Sequence, residues 1–218
     1  MLSVVIPVLN AEAGLGDCLE RMNAADEMLV VDGGSADSSR SIAEQAGARL
    51  LVAPRGRGSQ LRAGAEAARG DWLLFLHADS LPGPGWRDAV AKHVALHPAK
   101  AGCFRFRLAD SAWQARAIEQ AVAARVKLFG LPYGDQGLLV PISLYRSAGG
   151  YRAMPLMEDV DLVRRIGRGR LRVLDEQVST SAERWRRDGW ARRSARNLLC
   201  LGLYAAGISP RRIARLYG

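Results

Sequence analysis

Three short polar segments in this chain each follow an apolar run, and their residue types allow chemistry. Asn10 and Glu12 come after Val4 to Leu9, Asp32-Gly33-Gly34-Ser35 after Leu29-Val30-Val31, and His77-Ala78-Asp79 after Leu73-Leu74-Phe75-Leu76. In the second, a carboxylate precedes two glycines that let a flat ligand lie against the backbone. Asp32 could there accept a hydrogen bond from the imide N–H of a uracil ring. The same residues also suit a turn in which Ser35 or Asp37 caps the next helix. Tyr133-Gly134-Asp135-Gln136-Gly137 offers Asp135 and Gln136 to sugar hydroxyls, or forms a structural turn. Glu158-Asp159 opens a helix after Pro155, where the helix dipole favours acids.

Something must position these groups, and the apolar pattern says what. Strands are expected at Leu2 to Val8, Glu27 to Val31, Arg49 to Ala53 and Trp72 to Leu76, with helices near Gly14 to Ala24, Ser38 to Ala46 and Ser59 to Ala68. Continuous runs such as Val4-Val5-Ile6 fit strands covered on both faces, hence a parallel, Rossmann-like sheet. Open α/β sheets bind ligands beyond the carboxyl ends of their strands, which is where the three polar segments fall. The second half reads as an extension of that sheet. Its elements are a helix after Pro84, a strand near Cys103 to Leu108, a long helix from Ser111 to Leu128, a strand at Leu138 to Pro141, a helix from Glu158, a strand at Leu171 to Leu174 and a helical region from Arg187 onward.

A length of 218 residues fits one α/β domain, and 49% hydrophobic with 24% charged residues excludes a disordered chain. Cys18, Cys103 and Cys200 form no CxxC pair, so neither zinc nor a disulfide framework is expected and a cytoplasmic setting fits. The N-terminus lacks the pattern of a signal peptide, and Leu198 to Ile208 is too short for a membrane span. Residues 1–161 carry 17 basic and 18 acidic side chains, whereas residues 162–218 carry 14 and 4. All the net charge of +9 thus lies in the last quarter. Arg184 to Arg196, with Trp185 and Trp190, followed by apolar Leu198 to Ala206, has the ingredients of a helix lying on an anionic membrane. The same stretch also suits a solvated helix whose apolar side packs on the domain or on a second subunit, with the arginines serving an anionic partner or a homodimer contact. No nucleic-acid module is present, so no nucleic-acid partner is expected.

A dinucleotide site is disfavoured, because the turn Val8-Leu9-Asn10-Ala11-Glu12 has no glycine and the pairs Gly14/Gly16 and Gly56/Gly58 lack a third. The ordered set VVIPVLN with Glu12, VVDGGSADSS, Arg57-Gly58-Ser59-Gln60 with Gly64 and Ala68, GDWLLFLHADS and Met157 to Arg165 resembles family 2 glycosyltransferases over residues 2 to about 166. Within the family it is similar to small bacterial transferases associated with radical-SAM/selenodomain proteins, through LFLHAD, YGDQG and Ser181 to Trp185.

This resemblance implies a GT-A-type α/β fold: a Rossmann-like mixed sheet flanked by helices, with a helical C-terminus. Residues 1–218 would be one domain, with residues 1–100 the nucleotide-binding half and 101–218 the acceptor-side half. It implies a nucleotide-diphosphate sugar donor, an unidentified acceptor, and Mg2+ or Mn2+. Pro7, Leu9, Glu12, Asp32 and Arg57 would surround the nucleoside, Asp79 would take the metal and Asp159 would be the base of an inverting transfer. Where many relatives have two or three acids this chain has His77-Ala78-Asp79, leaving one carboxylate. A hard cation completes its shell with water and phosphate oxygens, so metal binding should depend on the donor. A lone histidine such as His77 is ordinarily structural. Two competing readings are a sugar-phosphate nucleotidylyltransferase, which the non-glycine first loop argues against, and a non-catalytic basic binding module.

Overall fold

Val4, Ile6 and Val8 face one side of the first strand and Val5 the other, and all four are buried. The strand is therefore covered on both faces, as its unbroken apolar run requires. The computed structural model describes residues 1–217. Strands β1 (Leu2–Val8), β2 (Glu27–Asp32), β3 (Arg49–Val52) and β4 (Trp72–Phe75) alternate with helices α1 (Glu12–Arg21), α2 (Ser39–Gln45) and α3 (Arg57–Ala67). Then follow β5 (Ser80–Pro82), α4 (Trp86–Leu96), β6 (Ala101–Leu108), α5 (Trp113–Phe129), β7 (Leu138–Pro141), α6 (Ile142–Ser147), α7 (Glu158–Ile166), β8 (Leu171–Thr180), α8 (Glu183–Asp188), α9 (Trp190–Ala205) and α10 (Pro210–Tyr217).

All eight strands join one sheet in the order β3-β2-β1-β4-β7-β6-β8-β5. The first four are parallel, as expected, whereas β7 pairs antiparallel with β4 and β6. One face carries a core of Val5, Val31, Leu73 and Phe75 packed by α3, α5 and α7 residues such as Leu61, Val126 and Leu162. The opposite face packs Val4, Ile6 and Leu74 against Leu15, Ala43 and Val90 of α1, α2 and α4. A third, smaller core joins Met157 and Val160 to Cys200 and Ile213, fixing α9 and α10 over the start of α7.

The second half departs from its sequence pattern in three places. β8 continues past Leu174 to Thr180 because it has partners on both sides, β6 in parallel and β5 antiparallel. Two short elements, β5 and α6, carry too few residues to show a period. The terminal helical region is three helices, broken by Gly189 and Gly207 at φ 84° each. Among the described residues no helix is long and apolar enough to cross a membrane.

Candidate active site

The parallel half ends in two clasped loops. Pairing places Val8 of β1 beside Asp32 of β2. Gln60, buried on α3, donates its amide to the carbonyls of Val8 (2.7 Å) and Val31 (2.8 Å), tying the two strand ends together. Asn10, at φ 51°, takes the Ala36 N–H on its side-chain oxygen at 2.9 Å, and Glu12 takes that of Ser38 at 3.0 Å. Asp37 accepts from the N–H groups of Glu12 (3.1 Å) and Ser39 (3.0 Å), but it precedes the N-cap of α2, which is Ser38, so neither Asp37 nor Ser35 caps that helix as expected. Ser35 instead holds the Asn10 N–H at 3.0 Å.

Asp32 is fully buried in this clasp. It accepts from the N–H groups of Gly34 (3.1 Å) and Ser35 (2.9 Å) and from Arg40 at 2.6 Å. Burial alone would raise its pKa, but these donors outweigh it and hold the carboxyl below its usual range. Both oxygens are thus engaged by the chain's own turn. Pro7, Leu9 and Asp32 lie at the carboxyl ends of β1 and β2 or in the loop after β1, and Glu12 opens α1.

Arg57, Asp79 and Asp159 come together in a neighbouring cavity of about 160 Å³. Tyr133, Gly134, Asp135 and His77 form one wall of it, and Thr180, Arg184, Trp185 and Arg193 another. The sheet explains the meeting. Phe75 of β4 pairs with Leu138 of β7, so His77 just after β4 and the turn Gly134–Gln136 just before β7 are brought side by side. A Cβ at Gly134 would lie 2.5 Å from His77 Nε2 and 3.5 Å from Asp159, so the close approach requires glycine there.

Asp159 receives the Gly134 N–H on Oδ2 and the Val160 N–H on Oδ1, each at 2.7 Å, which fixes the plane of its carboxylate. Met157, immediately before α7, is left-handed at φ 68° while its side chain is buried, a strained conformation of the kind found at functional sites. Beside Asp159, buried Glu158 pairs with Arg57 at 3.4 Å. Burial and the adjacent Asp159 push Glu158 up to about 6, against the pull of Arg57. Burial would lower the Arg57 pKa, but Glu158, Asp159 and Asp79 keep it raised, so the guanidinium stays charged. Burial also pushes Asp135 up to about 6, with Arg125 opposing, and keeps His77 neutral, well below its usual range.

Asp79 is exposed and takes part in no hydrogen bond or ion pair among the described residues. Nor do those residues contain a cluster of three or more His, Cys, Asp or Glu side chains able to hold an ion. The donor set fits a hard cation bound by one carboxylate with substrate phosphate and water completing the shell. Three of the site residues expected from sequence therefore share the cavity, whereas Pro7, Leu9, Glu12 and Asp32 lie at the β1–β2 edge and are not among its lining residues. Sequence reasoning passed over Glu158, Arg184 and Arg193. Glu158 had a signal, the acidic pair itself, but its ion pair with Arg57 spans 101 residues.

The family model for glycosyl transferase family 2 matches residues 3–147. The undecaprenyl-phosphate 4-deoxy-4-formamido-L-arabinose transferase of Pseudomonas aeruginosa is 33% identical over 129 residues, 52% of this chain and 38% of that protein. A PGL/p-HBAD biosynthesis glycosyltransferase of Mycobacterium bovis is 39% identical over 90 residues, covering 36% and 35%. The chain thus spans well under half the length of either relative. Among solved structures, Staphylococcus aureus TarS 1–349 in complex with UDP-GlcNAc superposes with a TM-score of 0.65 at 16% identity, over 83% of this chain and 58% of that one. Glucosyl-3-phosphoglycerate synthase from Mycobacterium tuberculosis, in complex with Mn2+, UDP and glucosyl-3-phosphoglycerate, gives 0.58 at 21% identity, over 83% and 70%. These likenesses establish the GT-A-type fold. The family match covers most of the chain, and with the strand-end residues and the cavity they lead to, it identifies the protein as a member of glycosyl transferase family 2.

Proposed function

We propose that this chain transfers a sugar from a nucleoside-diphosphate sugar to an acceptor hydroxyl, with inversion at the anomeric carbon. The observation that carries this reading is the meeting of Arg57, Asp79 and Asp159 in one cavity beyond the carboxyl ends of the strands. Asp159, its plane fixed by two N–H groups, takes the proton of the acceptor hydroxyl as that oxygen attacks the sugar and the diphosphate leaves. The charge of Arg57 offsets the negative charge that develops on the leaving group. Asp79 would hold Mg2+ or Mn2+, which when bound supplies further charge for the diphosphate. Pro7, Leu9, Glu12, Asp32 and Arg57 surround the nucleoside. Asp32 acts there by shaping the Gly33–Ser35 turn against which the base lies, since its own oxygens are engaged. The solved neighbours were crystallised with UDP or UDP-GlcNAc, which supports uridine donors as the first to try. The enzyme's expected setting is the cytoplasm, with peripheral contact at the inner face of the membrane to be tested by vesicle binding, and its expected subgroup is the small transferases associated with radical-SAM/selenodomain proteins.

Thermal melting with UDP, UDP-glucose and UDP-GlcNAc, each with and without Mn2+, tests the proposal. Binding to the native state at a hundred times Kd stabilises by about 2.7 kcal/mol, so a clear rise in Tm is expected with UDP and Mn2+ together. Asp79→Ala should keep the melting temperature of the free protein and lose the Mn2+-dependent part of the rise. No response to any nucleoside-diphosphate sugar, with or without metal, would defeat the donor reading.

A further inference from the structure

Helix α9 carries apolar side chains on its outer face as well as its inner one. Its exposed positions are Ala191, Arg192, Ala195, Leu198, Leu199, Gly202 and Ala205, spaced as one helical face, and only Arg192 among them is charged. Leu198 and Leu199 are 65% and 58% exposed. The inward side packs Cys200, Leu201 and Leu203 on the domain and also takes up polar groups: Arg193 and Arg196 pair with Asp188 at 2.8 and 3.0 Å, and Tyr204 donates to Asp161 at 3.1 Å. A helix whose outer side faces water carries charged and polar residues there instead.

The charge around this face also differs from what the basic composition implies. Arg186 is bound to Asp110, and Arg187, Arg193 and Arg196 hold Asp188 down at about 2. Four arginines of the basic stretch are thereby held within the fold by two carboxylates, which offset half of their charge. Arg192 of α9 and Arg211, Arg212 and Arg215 of α10 are exposed and form no ion pair among the described residues. No acidic residue follows Asp188 in the chain.

We propose that the outer face of α9, with the unpaired arginines of α9 and α10 beside it, docks on an anionic lipid surface. Apolar side chains enter the boundary between headgroups and acyl chains while the cations meet the lipid phosphates. A second copy of this chain is a poorer occupant, because two such faces would bring like charges together with no acid to separate them. The inward side of α9 supplies Arg193, Asn197 and Cys200 to the cavity wall, so the lipid would lie about one helix diameter, ~10 Å, from the site. That placement favours an amphiphilic acceptor whose hydroxyl reaches Asp159. This consequence for the acceptor rests on the transferase reading; the docking itself does not.

The test is co-sedimentation of the purified chain with vesicles of phosphatidylcholine alone and of equal parts phosphatidylcholine and phosphatidylglycerol, at low and high salt, with no donor present. Binding to the mixed vesicles is expected, weaker at high salt. L198E/L199E should bind at least about tenfold more weakly with unchanged melting temperature, since both side chains are exposed. V52E, at an exposed apolar site on edge strand β3, should bind as wild type does. R211E/R212E should lose the salt-sensitive part. Failure to bind the mixed vesicles, equal binding to neutral ones, or full binding by L198E/L199E would overturn the proposal. So would sedimentation velocity showing a dimer that L198E/L199E dissociates. Vesicle binding by a protein that no nucleoside-diphosphate sugar stabilises would keep the docking and remove the transferase reading.

Discussion

At the β1–β2 end of the site, Asp32 receives N–H groups from Gly34 and Ser35 and a salt bridge from Arg40, and Gln60 satisfies two strand-end carbonyls. At the Tyr133–Asp159 end, His77 Nε2, the Tyr133 hydroxyl and Asp135 Oδ1 are buried with no hydrogen-bond partner. Buried polar groups ordinarily have partners, and exceptions mark strain, catalysis or a missing ligand. The first region has its polar groups satisfied by the chain's own donors, and on the proposed reading it is the seat of the nucleoside. The second keeps its polar groups unsatisfied, so an incoming ligand's hydroxyls can supply what the chain does not. Donor binding should therefore depend on local architecture, and acceptor chemistry on side chains held slightly out of balance.

The largest effect should come from the unsatisfied end. Asp159→Asn preserves shape and removes the base, so turnover should fall ~10²- to 10⁴-fold while the donor-induced rise in Tm persists. Full activity in a nucleoside-diphosphate release assay would pass the role to another group, Asp161 first. That residue is, however, already tied to Arg165 at 2.6 Å and to Arg152 at 3.3 Å.

Breaking the satisfied end should cost stability first. Gln60→Ala leaves the Val8 and Val31 carbonyls buried without donors, and urea denaturation should show a loss of about 2–3 kcal/mol. Donor affinity should fall with it, because the loops after β1 and β2 lose their tie. A variant as stable as wild type would mean that water or a loop shift replaces the amide.

The smallest effect sharpens the comparison by its sign. Asp135 titrates at about 6 in the fold, against an ordinary 3.8, chiefly because it is buried. Between those values the folded chain binds more protons than the unfolded one, so stability is greatest below the lower value and declines as pH rises through about 6. Asp135→Asn removes that decline. The variant should gain on the order of 1–2 kcal/mol over wild type at pH 7 and nothing at acid pH, by denaturation across the range. Equal pH profiles for the two proteins would show that Asp135 is not held out of balance.

The four parallel strands and their helices were readable because their signals are local. Unbroken apolar runs and strand-end turns need no knowledge of distant residues, and boundaries such as Leu2–Val8 and Leu138–Pro141 follow from them. Asp79 was legible as a strand-end carboxylate and Asp159 through the resemblance carried by its motif. β5 and α6 were not, since three and six residues are too few to display a period.

By itself the sequence determined the order of the longer elements, the carboxylates at their ends, the family to which they point and the concentration of positive charge in the last quarter. Only the tertiary structure decided which of these groups meet. Inserting β7 antiparallel between β4 and β6 carries Gly134 to His77 and gives Asp159 its N–H donor. Glu158 finds Arg57, and the acids Asp110 and Asp188 take up four arginines of the basic stretch in ion pairs that a charge count does not show. The reason is that periodicity and turn preference act over a few residues, whereas strand pairing and ion pairing across the fold depend on which distant segments the closed sheet brings together.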